Sequence, residues 1–193
     1  MAFRKKDTDM TQGTIWKLLL EFAVPMAIGL IFQQLYNTVD SVIVGNYVGG
    51  DALAAVGTSG PIINLLVGLF MGIATGAGVV IARYFGAQDS EGVHDAVHTT
   101  LAATFIGGLF LPVVGALLSP TVVRLIGVPE NIMADSISYL RIYFGGIIAM
   151  MTYNMGAGIL RAVGDSKTPL YFLIISSIVN IILDMVFVIV LDM

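Results

Sequence analysis

Long apolar runs separated by brief polar punctuation set the rhythm of this chain. Phe22 to Val39 holds 18 residues without a charge, Ala52 to Ala82 holds 31, and Ile142 to Leu160 holds 19. Thr99 to Arg124 is broken only at Ser119-Pro120, and Thr168 to Leu191 holds 24 residues with Asp184 as the single charge. In helical form about 20 apolar residues cover a hydrocarbon core of roughly 30 Å. None of the runs alternates strictly with period two, as barrel strands would. The pattern predicts an all-α membrane protein with five transmembrane helices, at 15–47, 52–82, 93–118, 130–160 and 168–191, behind a short segment 1–14.

The punctuation is made of residues that break helices and form turns. Gly49-Gly50-Asp51 is expected to turn on the outer side, and Gly86-Ala87-Gln88-Asp89-Ser90 and Gly164-Asp165-Ser166-Lys167-Thr168-Pro169 on the inner side. Between Ser119 and Pro129, the apolar Val122, Val123, Leu125 and Ile126 predict a short segment lying at the outer surface.

Composition agrees with the pattern. Hydrophobic residues make up 57% and charged residues 11% of the chain, whereas soluble domains carry about a quarter charged. With five helices and the N-terminus inside, Arg4, Lys5, Lys6, Lys17, Arg83, Arg161 and Lys167 fall on one side, against Arg124 and Arg141 on the other. That asymmetry follows the positive-inside rule and predicts a multi-pass protein of the cytoplasmic membrane with a cytoplasmic 1–14. The first helix carries Glu21 and Pro25 and is too long for a cleaved signal, so it is expected to be retained. The net charge of -4 is sorted by side and says little about partners; the lipid bilayer is expected as one, nucleic acid is not. No cysteine is present, which excludes disulfides and thiolate metal sites.

Two acids stand inside the apolar runs. Gln33, Tyr36, Asn37 and Asp40 recur at spacings of three and four on the first helix, and Ser176, Asn180 and Asp184 recur every four on the fifth. Each set is a polar stripe on an apolar rod. At 1.5 Å per residue Asp40 lies about 35 Å above Lys17 and Asp184 about 24 Å above Thr168. A charge at the bilayer centre costs at least about 2.5 kcal/mol, so such residues mark ion or substrate paths. Two carboxylates and an amide offer hard oxygen ligands suited to Na⁺; the same acids could carry a proton instead. Asp40, Asn180 and Asp184 are therefore the candidate cation site, and the metal site if sodium is the ion.

Other features have blander readings. Gly68, Gly72 and Gly76 leave a smooth face for a neighbouring helix. Pro25 and Pro112 remove backbone hydrogen bonds inside helices. Tyr36, Tyr143, Phe144, Tyr153, Met150, Met151 and Met155 could line a cavity for flat cations or simply pack. His94 and His98 are four apart but lack a third ligand, which favours interfacial hydrogen bonding over metal. No nucleotide loop, zinc signature or nucleophile triad is visible, so no enzymatic activity and no cofactor are expected.

In order along the chain, Pro25 and Asp40, Leu53-Ala54-Ala55-Val56-Gly57, Arg83-Tyr84-Phe85-Gly86-Ala87-Gln88-Asp89, and Leu160-Arg161-Ala162-Val163-Gly164-Asp165-Ser166-Lys167-Thr168-Pro169 resemble the multidrug and toxic compound extrusion (MATE) family of secondary transporters. The resemblance implies one incomplete six-helix N-terminal lobe of a twelve-helix transporter, whose sixth helix and C-terminal lobe are missing partners. It implies a Na⁺- or H⁺-coupled antiporter that exports small amphipathic, often cationic, drugs or toxic compounds, this chain being only a partial copy. It also implies that Asp40, Asn180 and Asp184 form most of the cation site and that Gln34, Tyr36 and Asn154 face the substrate cavity.

Three rival readings differ in chemistry. A flippase for lipid-linked saccharides on the related fold would need a more cationic cavity. An intramembrane aspartyl protease would need Gly-x-Gly-Asp within the membrane, whereas Ala162-Val163-Gly164-Asp165 lacks the first glycine and leads into a loop. A non-transporting membrane interaction protein is the third.

Overall fold

The computed structural model describes residues 14–190; Arg4, Lys5, Lys6, the rest of 1–13, and Leu191 lie outside the described residues. Among the described residues five helices are long and apolar enough to cross a membrane. They are α1 (Ile15–Ile43), α2 (Gly50–Gly86), α3 (Ser90–Leu125), α4 (Glu130–Ala162) and α5 (Lys167–Asp184). Two π-helical segments extend them, Val44–Val48 beyond α1 and Met185–Val190 beyond α5.

The expected helix count and type are observed, and several boundaries move. The turn between the first two helices shrinks to Gly49, whose φ of 119° suits a residue without a Cβ, and α2 begins at Gly50. The α3 start moves back to Ser90 because the Asp89 carboxylate accepts the Gly92 backbone N–H at 2.9 Å, capping one of the free donors at a helix start.

The largest correction concerns 119–129. The expected surface segment is instead the end of α3, which runs through Pro120 to Leu125, and Val123 is fully buried. Proline at 120 lacks the N–H that would bond to the Ala116 carbonyl. Arg141 of α4 reaches across and donates its Nε–H to that same carbonyl, at 3.4 Å. The helix survives because a neighbouring side chain serves the freed carbonyl, the kind of repair that keeps prolines tolerable in membrane helices.

Helix α4 forms the centre of the bundle, packed on α2 and α3, while α1 lies mainly against α5. The core is built from Phe70, Val123, Leu140, Phe144, Ile147 and Met151. Small residues permit the close crossings. A Cβ on Gly115 would collide with the Phe144 ring, and one on Gly108 would lie 2.7 Å from Ile148 Cγ1. The face carrying Gly68, Gly72 and Gly76, expected to receive a helix, has nothing within 4 Å of the added Cβ positions. The close approach on α2 is turned to Ala74 and Gly78, which meet Gly158 of α4.

The turn from α4 to α5 shows why its motif reads as it does. Gly164 has a φ of 91°, and Asp165 Oδ1 accepts the backbone N–H groups of Lys167 and Thr168 at 3.0 and 2.9 Å. The Tyr153 hydroxyl donates to the Pro169 carbonyl at 3.2 Å, tying α4 to the first turn of α5. Partial burial pushes the Asp165 carboxyl up, but the Thr168 and Lys167 hydrogen bonds and the Lys167 charge outweigh it and hold the group below the usual carboxylate range. A depressed carboxyl stabilises the fold above its unfolded pKa, about 3.9, and loses that contribution as pH falls through the lower folded value. The turn is thus expected to be insensitive to pH between about 5 and 8. Asp165→Ala is expected to cost about 1 kcal/mol, a typical loss for a helix cap. Faster amide exchange at Lys167 and Thr168 and a lower unfolding temperature in detergent would register it; unchanged exchange would show that the cap is not needed.

Candidate functional site

The α1 and α5 helices run side by side in the same direction. Gly29, midway along α1, faces Leu170 and Leu173 in the first two turns of α5, with an added Cβ 3.5 Å from Leu173 Cδ2. Asp40 lies eleven residues beyond Gly29, and Asp184 eleven beyond Leu173. Equal steps of about 16 Å along parallel helices bring the two acids to one level. Both are half-buried, and their carboxylates lie within electrostatic reach of each other. Tyr139 of α4 is within the same reach of Asp40.

One turn before Asp184, Asn180 faces the same way. Asn180 Oδ1 and Asp184 Oδ2 are buried and have no hydrogen-bond partner. Leaving a buried acceptor unpaired costs about 1–3 kcal/mol, more for a charged group. Two such acceptors one helical turn apart, beside a second carboxylate, form a donor set for a hard cation or for a proton. Among the described residues no group of three His, Cys, Asp or Glu side chains could hold a metal ion.

Only part of each expected stripe faces this site. On α1, Tyr36 and Asp40 are half-buried while Gln33, Gln34 and Asn37 are exposed; on α5, Ser176 is exposed. The Gln34 and Asn37 carbonyls accept the Thr38 and Ser41 hydroxyls at 2.8 and 2.9 Å, local bonds within α1. Tyr36 is within electrostatic reach of Tyr143 and Tyr153. Phe144, Met151 and Met155 are buried core residues, so for them packing is the correct reading.

A cleft of about 310 Å³ opens between α1, α2 and α4. Asn154 lines it, and its Nδ2 donates to the Met150 carbonyl at 2.9 Å. Gln34 and Tyr36 are not among its wall residues. Met26, Met71 and Arg161 are, and none of them was expected from sequence as a cavity residue; the spacing on any single helix gives no signal for a wall assembled from three. His94 and His98 stack with ring centroids 3.9 Å apart, and His98 Nδ1 bonds to the His94 carbonyl at 2.9 Å, contacts local to α3.

Known proteins share the sequence pattern and the fold of this chain. A Bacillus subtilis (strain 168) protein described as a probable multidrug resistance protein, YoeA, is 36% identical over 173 residues, covering 90% of this chain and 37% of that protein. A solved transporter of the MOP superfamily from Pyrococcus furiosus, described as having reversed polarity in its binding pocket, superposes with a TM-score of 0.89 at 30% identity, over 98% of this chain and 42% of its own. The outward-facing conformation of a multidrug resistance MATE family transporter gives 0.90 at 29% identity, over 99% and 42%. The chain thus spans about two-fifths of the length of the relatives it matches. The MatE family model matches residues 25–186, and with five apolar helices in the corresponding fold this chain belongs to the MatE family.

Proposed function

We propose that this chain supplies the cation-coupling lobe of an antiporter that exports small amphipathic, often cationic, compounds across the cytoplasmic membrane, with its N-terminus inside. The observation that carries the proposal is the pair of buried, unpartnered acceptors, Asn180 Oδ1 and Asp184 Oδ2, at the level of Asp40. Na⁺ or H⁺ entering between the acids relieves their mutual repulsion and the desolvation of the acceptors. That favours one arrangement of α1 against α5, and the shift is limited to the ion's differential affinity for the two arrangements. Gln34, Tyr36 and Asn154 are proposed as cargo-facing residues.

Transport by alternating access needs two bodies that move against each other around a site. We therefore assign cargo movement to a complete transporter in which a second lobe faces this one. The unit 15–193 is proposed as a partial N-terminal lobe and 1–14 as its cytoplasmic lead.

Reconstituted into vesicles, the complete transporter is expected to accumulate a fluorescent amphipathic cation only when an opposing Na⁺ or proton gradient is imposed. The same vesicles holding these 193 residues alone are expected to show no accumulation above protein-free controls. Accumulation indifferent to both gradients would overturn the coupling, and robust accumulation by the chain alone would overturn the two-lobe assignment.

A further inference from the structure

The five helices divide by how they pack. Helices α2, α3 and α4 interlock: Gly108 and Gly115 leave room for Ile148 and Phe144, and Gly158 meets Ala74. The Thr58 and Ser136 hydroxyls pair at 3.3 Å between α2 and α4, and Arg141 of α4 holds the Ala116 carbonyl of α3. Helices α1 and α5 form a second unit, in contact from Gly29 and Leu173 up to the touching segments Val44–Val48 and Met185–Val190. Close packing transmits a push rather than yielding to it, so each unit behaves as one body.

The two bodies meet beside their chain connections. Val44–Val48 rests on α2 next to Gly49, where an added Cβ on Gly45 would lie 3.2 Å from Leu53 Cδ2. Next to Gly164, the Pro169 carbonyl of α5 accepts the Tyr153 hydroxyl of α4. Elsewhere among the described residues α1 makes almost no close backbone approach to α2, α3 or α4, and the cleft beside Met26 lies along that seam. Gly49 and Gly164 have φ of 119° and 91°, torsions that suit a residue without a Cβ. Because α1 and α5 are parallel, these joints lie at opposite ends of the pair: α1 is tied at its finish and α5 at its start. Two bodies tied at two points can turn only about the line through them, and that line crosses the pair diagonally. The free corners, the start of α1 and the far end of α5, then move in opposite senses.

We propose that the α1 and α5 pair rocks on this diagonal against α2, α3 and α4, a hinge motion carried by the two glycine joints. As the start of α1 approaches α2 and α4, the cleft beside Met26 narrows and the far end of α5 lifts away; the reverse turn widens the cleft. With helix axes ~8–10 Å apart, a turn of about 20° moves each free corner by ~3 Å. A cation between Asp40 and Asp184 sits inside the pair and sets the fit of α1 to α5, whereas the rocking carries both helices. The motion follows from packing and joints and does not depend on transport.

The chain has no cysteine, so spin labels attach only at introduced cysteines, and distances between label pairs in lipid nanodiscs read the motion. Cysteines at the exposed positions Leu20 with Thr99, and Leu183 with Leu117, span the two free corners. Leu20 with Leu183 lies within the pair, and Thr99 with Ile142 within the other three helices. The two internal pairs are expected to give one narrow distance each, and the two corner pairs distributions ~3 Å wider. Thr75→Trp, which wedges the cleft, is expected to lengthen the distance from Leu20 to Thr99 and shorten that from Leu183 to Leu117. Corner distances as narrow as the internal ones would overturn the rocking, as would a wedge that lengthens both corners together. A broad distance from Leu20 to Leu183 would overturn the pairing of α1 with α5. The comparison of label pairs stands even if Thr75→Trp fails to fold.

Discussion

Replacing Asp184 with asparagine is expected to reduce gradient-driven efflux by the complete transporter at least tenfold, a loss of about 1.4 kcal/mol or more of coupling, while insertion into the membrane is unchanged. The substitution keeps the shape of the side chain and removes its charge. The unpartnered Asp184 Oδ2 then no longer attracts a cation, and the repulsion from Asp40 that a cation would relieve is gone. The proposed arrangement loses both its ligand and its driving force. Efflux of a fluorescent amphipathic cation from cells, with expression checked by immunoblot, measures the effect; Asp51→Asn, which removes an exposed charge at the start of α2, serves as the charge control. Undiminished efflux by the Asp184 variant would sink the scheme. Asn180→Leu separates the two ions, because an amide oxygen is a ligand for Na⁺ but cannot carry a proton at neutral pH. If sodium drives export, that variant is expected to need a higher Na⁺ concentration for half-maximal efflux; if protons drive it, the pH dependence is expected to persist.

The largest stability effect is expected at Gly115. Its added Cβ would collide with the ring of Phe144, which is 7% exposed and belongs to the central cluster. A ring held on all sides cannot swing away, so α3 and α4 must part. Gly115→Ala is expected to destabilise the bundle by about 1–3 kcal/mol, as overpacking of a filled core does. Gly115→Val should cost more. Phe144→Leu in the same chain should recover part of the loss, with a coupling of about 0.5–3 kcal/mol between the two sites. Gly68→Ala provides the contrast: nothing lies within 4 Å of its added Cβ, so the change is expected to be neutral or to stabilise by up to about 1 kcal/mol through helix propensity. Thermal unfolding in detergent would rank the four variants, and equal midpoints for Gly115→Ala and Gly68→Ala would refute the account.

What was legible in the sequence follows from what local spacing records. Run length and the absence of charge give five helices, because the bilayer imposes one length on every crossing element. The nearness of Asp40 and Asp184 was readable as two stripes needing a shared interior. The choice of Tyr36 over Gln33 and Asn37 as an inward residue was not, because spacings of three and four both fall on one broad helical face. The end of α3 is not legible at Ser119-Pro120, because the rescue comes from Arg141 on another helix, which a tally of charges by side reads only as an outer cation. Gly68, Gly72 and Gly76 define a face by their spacing, but no atom lies within 4 Å of their added Cβ positions; which small face meets α4 depends on where Ala74 and Gly158 touch. The cleft and the setting of Arg161 were invisible, since three helices must come together before either exists.

The wide turns that follow the two acids carry a mechanical consequence. The segment Val44–Val48 begins four residues after Asp40, Met185–Val190 begins directly after Asp184, and the two segments touch. Such a turn holds one residue more than its neighbours and is frequent at functional sites. It can migrate along a rod one step at a time, exchanging one backbone bond for another, so the rod swivels about its axis without uncoiling. Gly49 alone separates the first of these turns from α2. Any swivel near Asp40 is therefore geared directly into the neighbouring helix, with no slack loop to absorb it.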